Sequence, residues 1–317
     1  MLTYIVKRLL NSIPIILGVS LCAFFLVKAV PGDPINVLVE PDKQDRVDLD
    51  AIRRQYGLDK PFFAQYVYMM KGIFSGTLIS FSQRIPCLEM VARTLPVTAL
   101  LGVSALVLSL AIGVLLGVIV SRRPFGTLDQ IVSTLSLGGI SMPGFVAALL
   151  LVYFLTERLH LLPASGIRPA GTEGWGPALI LPHMIAPVFT LTFGLLPEFL
   201  RFTRSSMLEV LSEDYIRTAR AKGLAEKMVF LKHALRNGLL PVVTMFGLNI
   251  PYVLGGSVVV ETVFAIPGMG RLAVTAALGR DYPMILTANL IAAVLVIVSN
   301  LIADVLYGIV DPRVKVG

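Results

Sequence analysis

The sequence predicts an all-α, polytopic membrane protein, and three observations carry that prediction. Of 317 residues, 56% are hydrophobic and only 15% are charged, with a mean hydropathy of +0.81. Soluble domains carry roughly 25% charged residues. Several apolar runs reach the ~20 residues that a helix needs to cross the hydrocarbon core. These runs are long and continuous, whereas the strands of a membrane β-barrel read as short alternating segments.

Six spans are predicted in order. The first covers 9–30. Lys7 and Arg8 before it look like the basic start of a signal peptide. The apolar run is longer than a usual signal core, however, and no small-x-small cleavage site follows, so it reads as an uncleaved spanning helix. The second span, 95–120, holds no charge, and the third covers 131–156. The fourth, 179–200, contains Pro182, Pro187 and Pro197. Such prolines are tolerated where neighbouring helices satisfy the freed backbone groups. The fifth covers 240–264 and the sixth 284–310, with a tail at 311–317. The organisation expected is a first helix (1–30), an outer insertion (31–93), and a five-helix core (94–310) that includes a cytoplasmic loop (201–239).

Lys and Arg set the orientation. With the N-terminus inside, the inner segments hold Lys7, Arg8, Arg122, Arg123, Arg313 and Lys315. The fourth–fifth loop adds Arg201, Arg204, Arg217, Arg220, Lys222, Lys227, Lys232 and Arg236. The two short outer loops hold only Arg158, Arg168, Arg271 and Arg280, so both termini are expected in the cytoplasm. The net charge of +7 is thereby read as charge that orients the chain and meets lipid headgroups, not as a nucleic-acid surface.

Within the insertion, LDAIRRQYG reads as a short helix stopped by Gly57. After Asp59-Lys60-Pro61, FFAQYVYMMKGIF reads as an amphipathic helix. A packed cap over the outer face is the plainer reading, and docking of an extracytoplasmic partner is the sharper one.

Several chemistries are missing. There is no G-x-x-x-x-G-K-[ST] and no H-E-x-x-H, so neither a nucleotide-binding loop nor a zinc-protease site is carried here. His160, His183 and His233 are far apart, and Cys22 and Cys87 form no metal or disulfide framework. No nucleophile–base signature stands out. The chain is expected not to be an enzyme and to carry no cofactor or metal, so energy for any work must come from elsewhere.

His183, Glu198, Glu261 and Asp304 fall at or near membrane depth. Such residues are functional candidates by default, but their places near span ends favour structural partners over a proton relay. Asn289 and Asn300 read as interhelical donors. Gly138, Gly139, Ser141, Pro143 and Gly144 in the third span fit either close packing or a broken helix beside a cavity. Ser141, Met142 and Pro143, with Gly255 and Gly256 of the fifth span, are the candidate translocation-pathway residues.

The densest positive charge lies in EDYIRTARAKGLAEKMVFLKHALRNGLLPVV, 213–243. Tyr215, Ile216 and Ala219 share one helical face, while Arg217, Arg220 and Lys222 lie elsewhere on the turn. Thr218 and Ala221 complete this helix. Gly223 stands where a C-cap glycine with positive φ belongs. A second helix is predicted over 225–236, ended by Asn237-Gly238 and followed by Leu239-Leu240-Pro241. A basic loop against anionic headgroups explains the charge. A compact hairpin with an apolar face of its own asks for a groove on a partner.

At these residues the sequence resembles the permease subunits of ABC importers. Their loop motif has the form E-A-A-x-x-x-G with a downstream Leu-Pro. Arg217-Thr218-Ala219 precede Gly223 at that spacing, and Leu240-Pro241 supply the pair. Arg217 and Thr218 replace the Glu and the first Ala, as in the dipeptide/oligopeptide/nickel branch. Tyr215–Gly223 and His233–Asn237, with Arg236 between, resemble that branch's loop.

Pro31-Gly32-Asp33-Pro34, Gly57-Leu58-Asp59-Lys60-Pro61, Pro267-Gly268-Met269-Gly270-Arg271, Arg280-Asp281-Tyr282-Pro283 and Asp311-Pro312-Arg313 match in order along nearly the whole chain. The resemblance implies a type I importer permease fold in the cytoplasmic membrane. It implies a second homologous permease, two ATPase subunits that carry ATP and Mg, and an extracytoplasmic substrate-binding protein. The loop would hold a coupling helix docked in a cleft on an ATPase. Substrates of such branches are di- and oligopeptides, glutathione, opines, nickel or metal chelates. The rival reading is a stand-alone carrier driven by an ion gradient.

Overall fold

A computed structural model describes residues 2–29, 48–172, 174–254 and 258–310. Helix α1 is Leu2–Ala29, α2 is Leu49–Gln55 and α3 is Phe62–Phe74. Helix α4 is Cys87–Ser121, α5 is Thr127–Ser141, and α6 is Gly144–Leu151, prolonged by a π-helical stretch, Val152–Arg158. Helix α7 is Pro177–Ser212 and α8 is Asp214–Ala221. Helix α9 opens as Glu226–Met228, passes through a π-helical stretch, Val229–Ala234, and closes as Leu235–Gly238. Helices α10 (Leu240–Leu254), α11 (Val258–Val263), α12 (Met269–Leu278) and α13 (Tyr282–Val310) follow. Among the described residues the only extended pairing is the bridge Ile79–Pro86.

Four helices are long and apolar enough to cross a membrane: α1, α4, α7 and α13. They match the predicted first, second, fourth and sixth spans. The third is divided. Thr127–Gly139 and Gly144–Arg158 meet at 98°, so they count as one span only if the bend is included. The residue before a proline is pushed out of the α region, and Met142 before Pro143 is extended at φ −86, ψ 120. The predicted fifth span, 240–264, is represented by α10 and α11, with 255–257 outside the described residues. Two boundaries differ from the expectation. Helix α4 begins at Cys87, inside the segment assigned to the insertion, and α7 continues to Ser212, well into the expected cytoplasmic loop. Hydropathy locates apolar runs, but a helix continues beyond them as long as its backbone bonds continue.

The central contact pairs α4 with α7. Gly113 and Gly117, one helical turn apart, let the backbones meet. A Cβ at 113 would stand 2.7 Å from Phe199 Cβ, and one at 117 would stand 2.6 Å from Thr203 Cβ. This is the small-xxx-small device of membrane helices. Ser109 Oγ donates to Ala105 O at 2.6 Å, which satisfies a buried hydroxyl without charge. Near the N-terminus Arg8 pairs with Asp304 and ties α1 to α13. Asp304 therefore has the structural partner expected of it. His183 Nδ1 lies 3.1 Å from Ser165 O in the α6–α7 connection, also a structural contact.

The insertion is tied to the core through Asp281. Its buried carboxylate accepts from Phe81 N–H at 3.0 Å, Ser82 N–H at 3.0 Å, Ser82 Oγ at 2.8 Å and Ser80 Oγ. It also accepts from Met284 N–H at 3.2 Å, in the first turn of α13. One side chain thus caps a helix and clamps a loop some 200 positions away in sequence. Asp281→Ala is expected to raise amide hydrogen exchange at Phe81 and Ser82 by about tenfold or more, leaving α4 and α7 unchanged.

Candidate functional site

The basic segment forms a hairpin of α8 and α9 that follows the C-terminal end of α7. Its corner is built from backbone bonds. Gly223 N–H donates to Arg220 O at 2.9 Å, and Leu224 N–H donates to Ala219 O at 3.4 Å. Together these make a Schellman cap with its left-handed residue at C′. Gly223 has φ +77, as the glycine's position predicts, and nothing lies within 4 Å of where its Cβ would be. Arg220 Nη2 and Nε reach Glu226 at 2.7 and 3.1 Å and brace the corner. The Arg220 guanidinium holds the Glu226 carboxyl below its ordinary value. The arms are also joined at their open end, where Asn237 Nδ2 donates to Tyr215 OH at 2.9 Å and to His233 O at 3.3 Å.

Helical spacing alone assigns the apolar face of this hairpin to a groove on a partner. The structure corrects that point. Ile216 and Ala219 are buried against Met207, Val229, Phe230 and Ala234, with Val118 of α4 and Val210 and Leu211 of α7 packed around them. The chain itself covers the face, so the hairpin is fastened to α4 and α7. Arg122, which follows α4, adds a cation–π contact 4.8 Å from the Phe230 ring centre. The outward surface is polar and basic. Arg217, Thr218, Arg220, Ala221, Lys222 and Arg236 are exposed, His233 is half-buried, and Tyr215 is 41% exposed. Arg217 lies 3.4 Å from Asp214, and Thr218 Oγ1 donates to Asp214 O at 2.9 Å.

A second anchor joins α7 to the broken segment. Asp129 at the start of α5 accepts from Arg204 Nε at 2.6 Å and Nη2 at 2.7 Å. Phe125 N–H adds a bond at 2.8 Å and Ser133 Oγ one at 3.2 Å. Asp129 is 3% exposed, so removing its charge strands Arg204. Asp129→Asn is expected to cost about 3 kcal/mol. In a double-mutant cycle, Asp129→Asn with Arg204→Gln should cost clearly less than the sum of the two single changes, read as thermal midpoints in detergent.

Helix α5 runs from this anchor to the break. Ser141, Met142 and Pro143 sit at the bend and are exposed, with Ser141 Oγ bonded to Leu137 O at 2.9 Å. Gly255 and Gly256, the other pathway candidates, lie outside the described residues.

A polar centre forms around Glu261, one of the acids the sequence places at a span end, and its partners are structural, as expected. Glu261 is fully buried and accepts from Thr98 Oγ1 at 2.8 Å and from Arg271 N–H at 2.9 Å. Met269 N–H donates to Thr98 Oγ1 at 2.8 Å. The carboxylate therefore caps α12 from another helix. Gly268 makes room for it, since a Cβ there would stand 2.4 Å from the carboxyl carbon. This accounts for the glycines of Pro267–Arg271. The sequence signal available was the acid at a span end together with that glycine pair.

With this geometry established, comparisons with known proteins decide the family. The family described as "Binding-protein-dependent transport system inner membrane component" matches residues 113–316, and its N-terminal companion matches residues 1–108. The chain belongs to this family. Among its relatives, "Oligopeptide transport system permease protein AppB" of Bacillus subtilis is 42% identical over 319 aligned residues, covering 99% of this chain and all of that one. "Glutathione transport system permease protein GsiC" of Escherichia coli O6:H1 is 38% identical over 316 residues, covering 99% of each chain. A chain of the solved MetNI methionine ABC transporter, in an inward-facing form, superposes with a TM-score of 0.55 at 18% identity. It covers 71% of this family member and 98% of the MetNI chain, and shows a shared fold.

Proposed function

We propose that this chain is the permease subunit of an ATP-driven importer that moves di- and oligopeptides, or a chemically related small solute, across the cytoplasmic membrane. Six spans place both termini inside, with α10 and α11 forming the fifth and the bent α5–α6 segment the third. A second homologous permease completes the translocation path, and two ATPase subunits supply energy from ATP and Mg. An extracytoplasmic binding protein delivers the solute. The hairpin of α8 and α9 is the docking element for an ATPase.

One observation carries the coupling role. The hairpin is capped, braced and packed onto α4 and α7, so force applied at its basic outer face passes directly to two spanning helices. A loop serving only as a headgroup contact needs no such fastening. The oligopeptide and glutathione relatives support a peptide-class solute. The pathway runs past the break at Ser141–Pro143, where backbone freed from helix lines a cavity between permeases.

The test is uptake of labelled di- and tripeptides into proteoliposomes holding the assembled complex and its binding protein. Uptake is expected to require ATP and to survive a protonophore. Uptake by this chain alone, without ATP and abolished by the protonophore, would replace the importer with an ion-coupled carrier.

A further inference from the structure

A groove runs along the α4–α7 pair, on the half nearer the N-termini of both helices, which is the outer half in the topology proposed above. Leu100, Ser104 and Leu108 of α4 face it at four-residue spacing, as do Leu181, Ile185 and Phe189 of α7. Both helices descend from the side that carries Arg93, Arg168 and Trp175, and each set of three spans about 12 Å. That is close to one leaflet of a hydrocarbon core about 30 Å thick. The groove encloses about 590 Å³ and opens at its upper end, past Trp175 and Ile180, into a mouth of about 610 Å³. Arg93 and Arg168 stand at that mouth. Arg93 Nη2 bonds Glu89, and Arg168 Nη1 bonds Gly174 O at 2.9 Å. A guanidinium carries five N–H donors, so these bonds hold each group in place and leave donors for an anion.

We propose that this groove binds an anionic phospholipid of the outer leaflet, with its phosphate at Arg93 and Arg168 and one acyl chain along α4 and α7. The charge arrangement fits an amphiphile, basic at the rim and hydrocarbon below, with an indole at the headgroup level that tryptophan prefers. It does not fit a peptide. A peptide would bring amide groups that lose water at a cost of about 2 kcal/mol or more each, and among the six groove residues named only Ser104 has a polar side chain. The lipid would fill the seam beside the Gly113–Gly117 contact and stiffen the two helices to which the hairpin is fastened.

The test is native mass spectrometry of the purified complex after equilibration with equal amounts of dioleoylphosphatidylglycerol and dioleoylphosphatidylcholine. Wild type is expected to retain phosphatidylglycerol in preference by about fivefold, because its headgroup keeps a net negative charge that choline cancels in phosphatidylcholine and because Glu89 offsets Arg93, leaving one uncompensated arginine charge. Arg93→Gln/Arg168→Gln, which alters only rim side chains, should abolish the preference while the complex stays monodisperse. Ser104→Phe should exclude both lipids. Equal retention of the two lipids by wild type, or a preference that survives the double substitution, overturns the proposal. So does a photo-crosslink from benzoylphenylalanine placed at Leu108 to the second permease, which would assign the groove to a subunit interface.

Discussion

Glu261→Ala is expected to lower the thermal midpoint of the chain by roughly 5–10 °C. The carboxylate is fully buried, and its removal leaves Thr98 Oγ1 and Arg271 N–H without their acceptor. Unsatisfied buried groups and the cavity left behind put the loss at about 3 kcal/mol. Glu261→Gln retains one acceptor oxygen and should fall between the two. Gly268→Ala attacks the same centre from the other side, because its Cβ would lie 2.4 Å from the carboxyl carbon. The decisive reading is the order Ala, then Gln, then wild type. Equal midpoints for all three would mean that the carboxylate does not hold α11 and α12 together.

Gly223→Val is expected to abolish ATP-driven uptake while leaving membrane insertion intact. The residue sits at φ +77, where a β-branched side chain is strongly disfavoured. The left-handed conformation costs roughly 1–2 kcal/mol for an ordinary residue, and more with a branched Cβ. Nothing lies within 4 Å of the new Cβ, so the damage is confined to the backbone at the corner. The Schellman bonds from Gly223 and Leu224 would be lost and α8 would shift relative to α9. Gly223→Asn should retain much of the activity, because asparagine visits this region more readily. Co-purification of the ATPase measured beside uptake separates lost docking from lost chemistry. Normal uptake by the valine variant would remove the corner from the mechanism.

The parts legible in the sequence are those governed by local physics. Continuous apolar runs marked α1, α4, α7 and α13, and Gly223 was readable because only one residue type takes its conformation cheaply. Pro143 marked a break, but the 98° bend depends on how α5 and α6 pack on their neighbours. The direction in which Ile216 and Ala219 face depends on the same kind of tertiary packing. A helical period shows that two residues share a face, not which surface covers it. Asp281 with Ser80–Ser82, Glu261 with Thr98, and Arg204 with Asp129 join positions 75 or more residues apart, so no local pattern announces them. Charge alone made Arg204 a loop cation. The fold makes it the partly exposed partner of a buried carboxylate.

The hairpin as the point of ATPase docking is the central claim, and photo-crosslinking tests it most directly. Benzoylphenylalanine placed at Arg217 and at Lys222, both exposed on the outer surface of α8 and its cap, is irradiated in membranes containing the assembled complex. The account predicts an adduct with a subunit carrying a nucleotide-binding loop at both positions, and none from the same probe at Phe125, which is 78% exposed on the α4–α5 turn. Adducts with lipid alone at Arg217 and Lys222, in a complex that still imports solute with ATP, would contradict it.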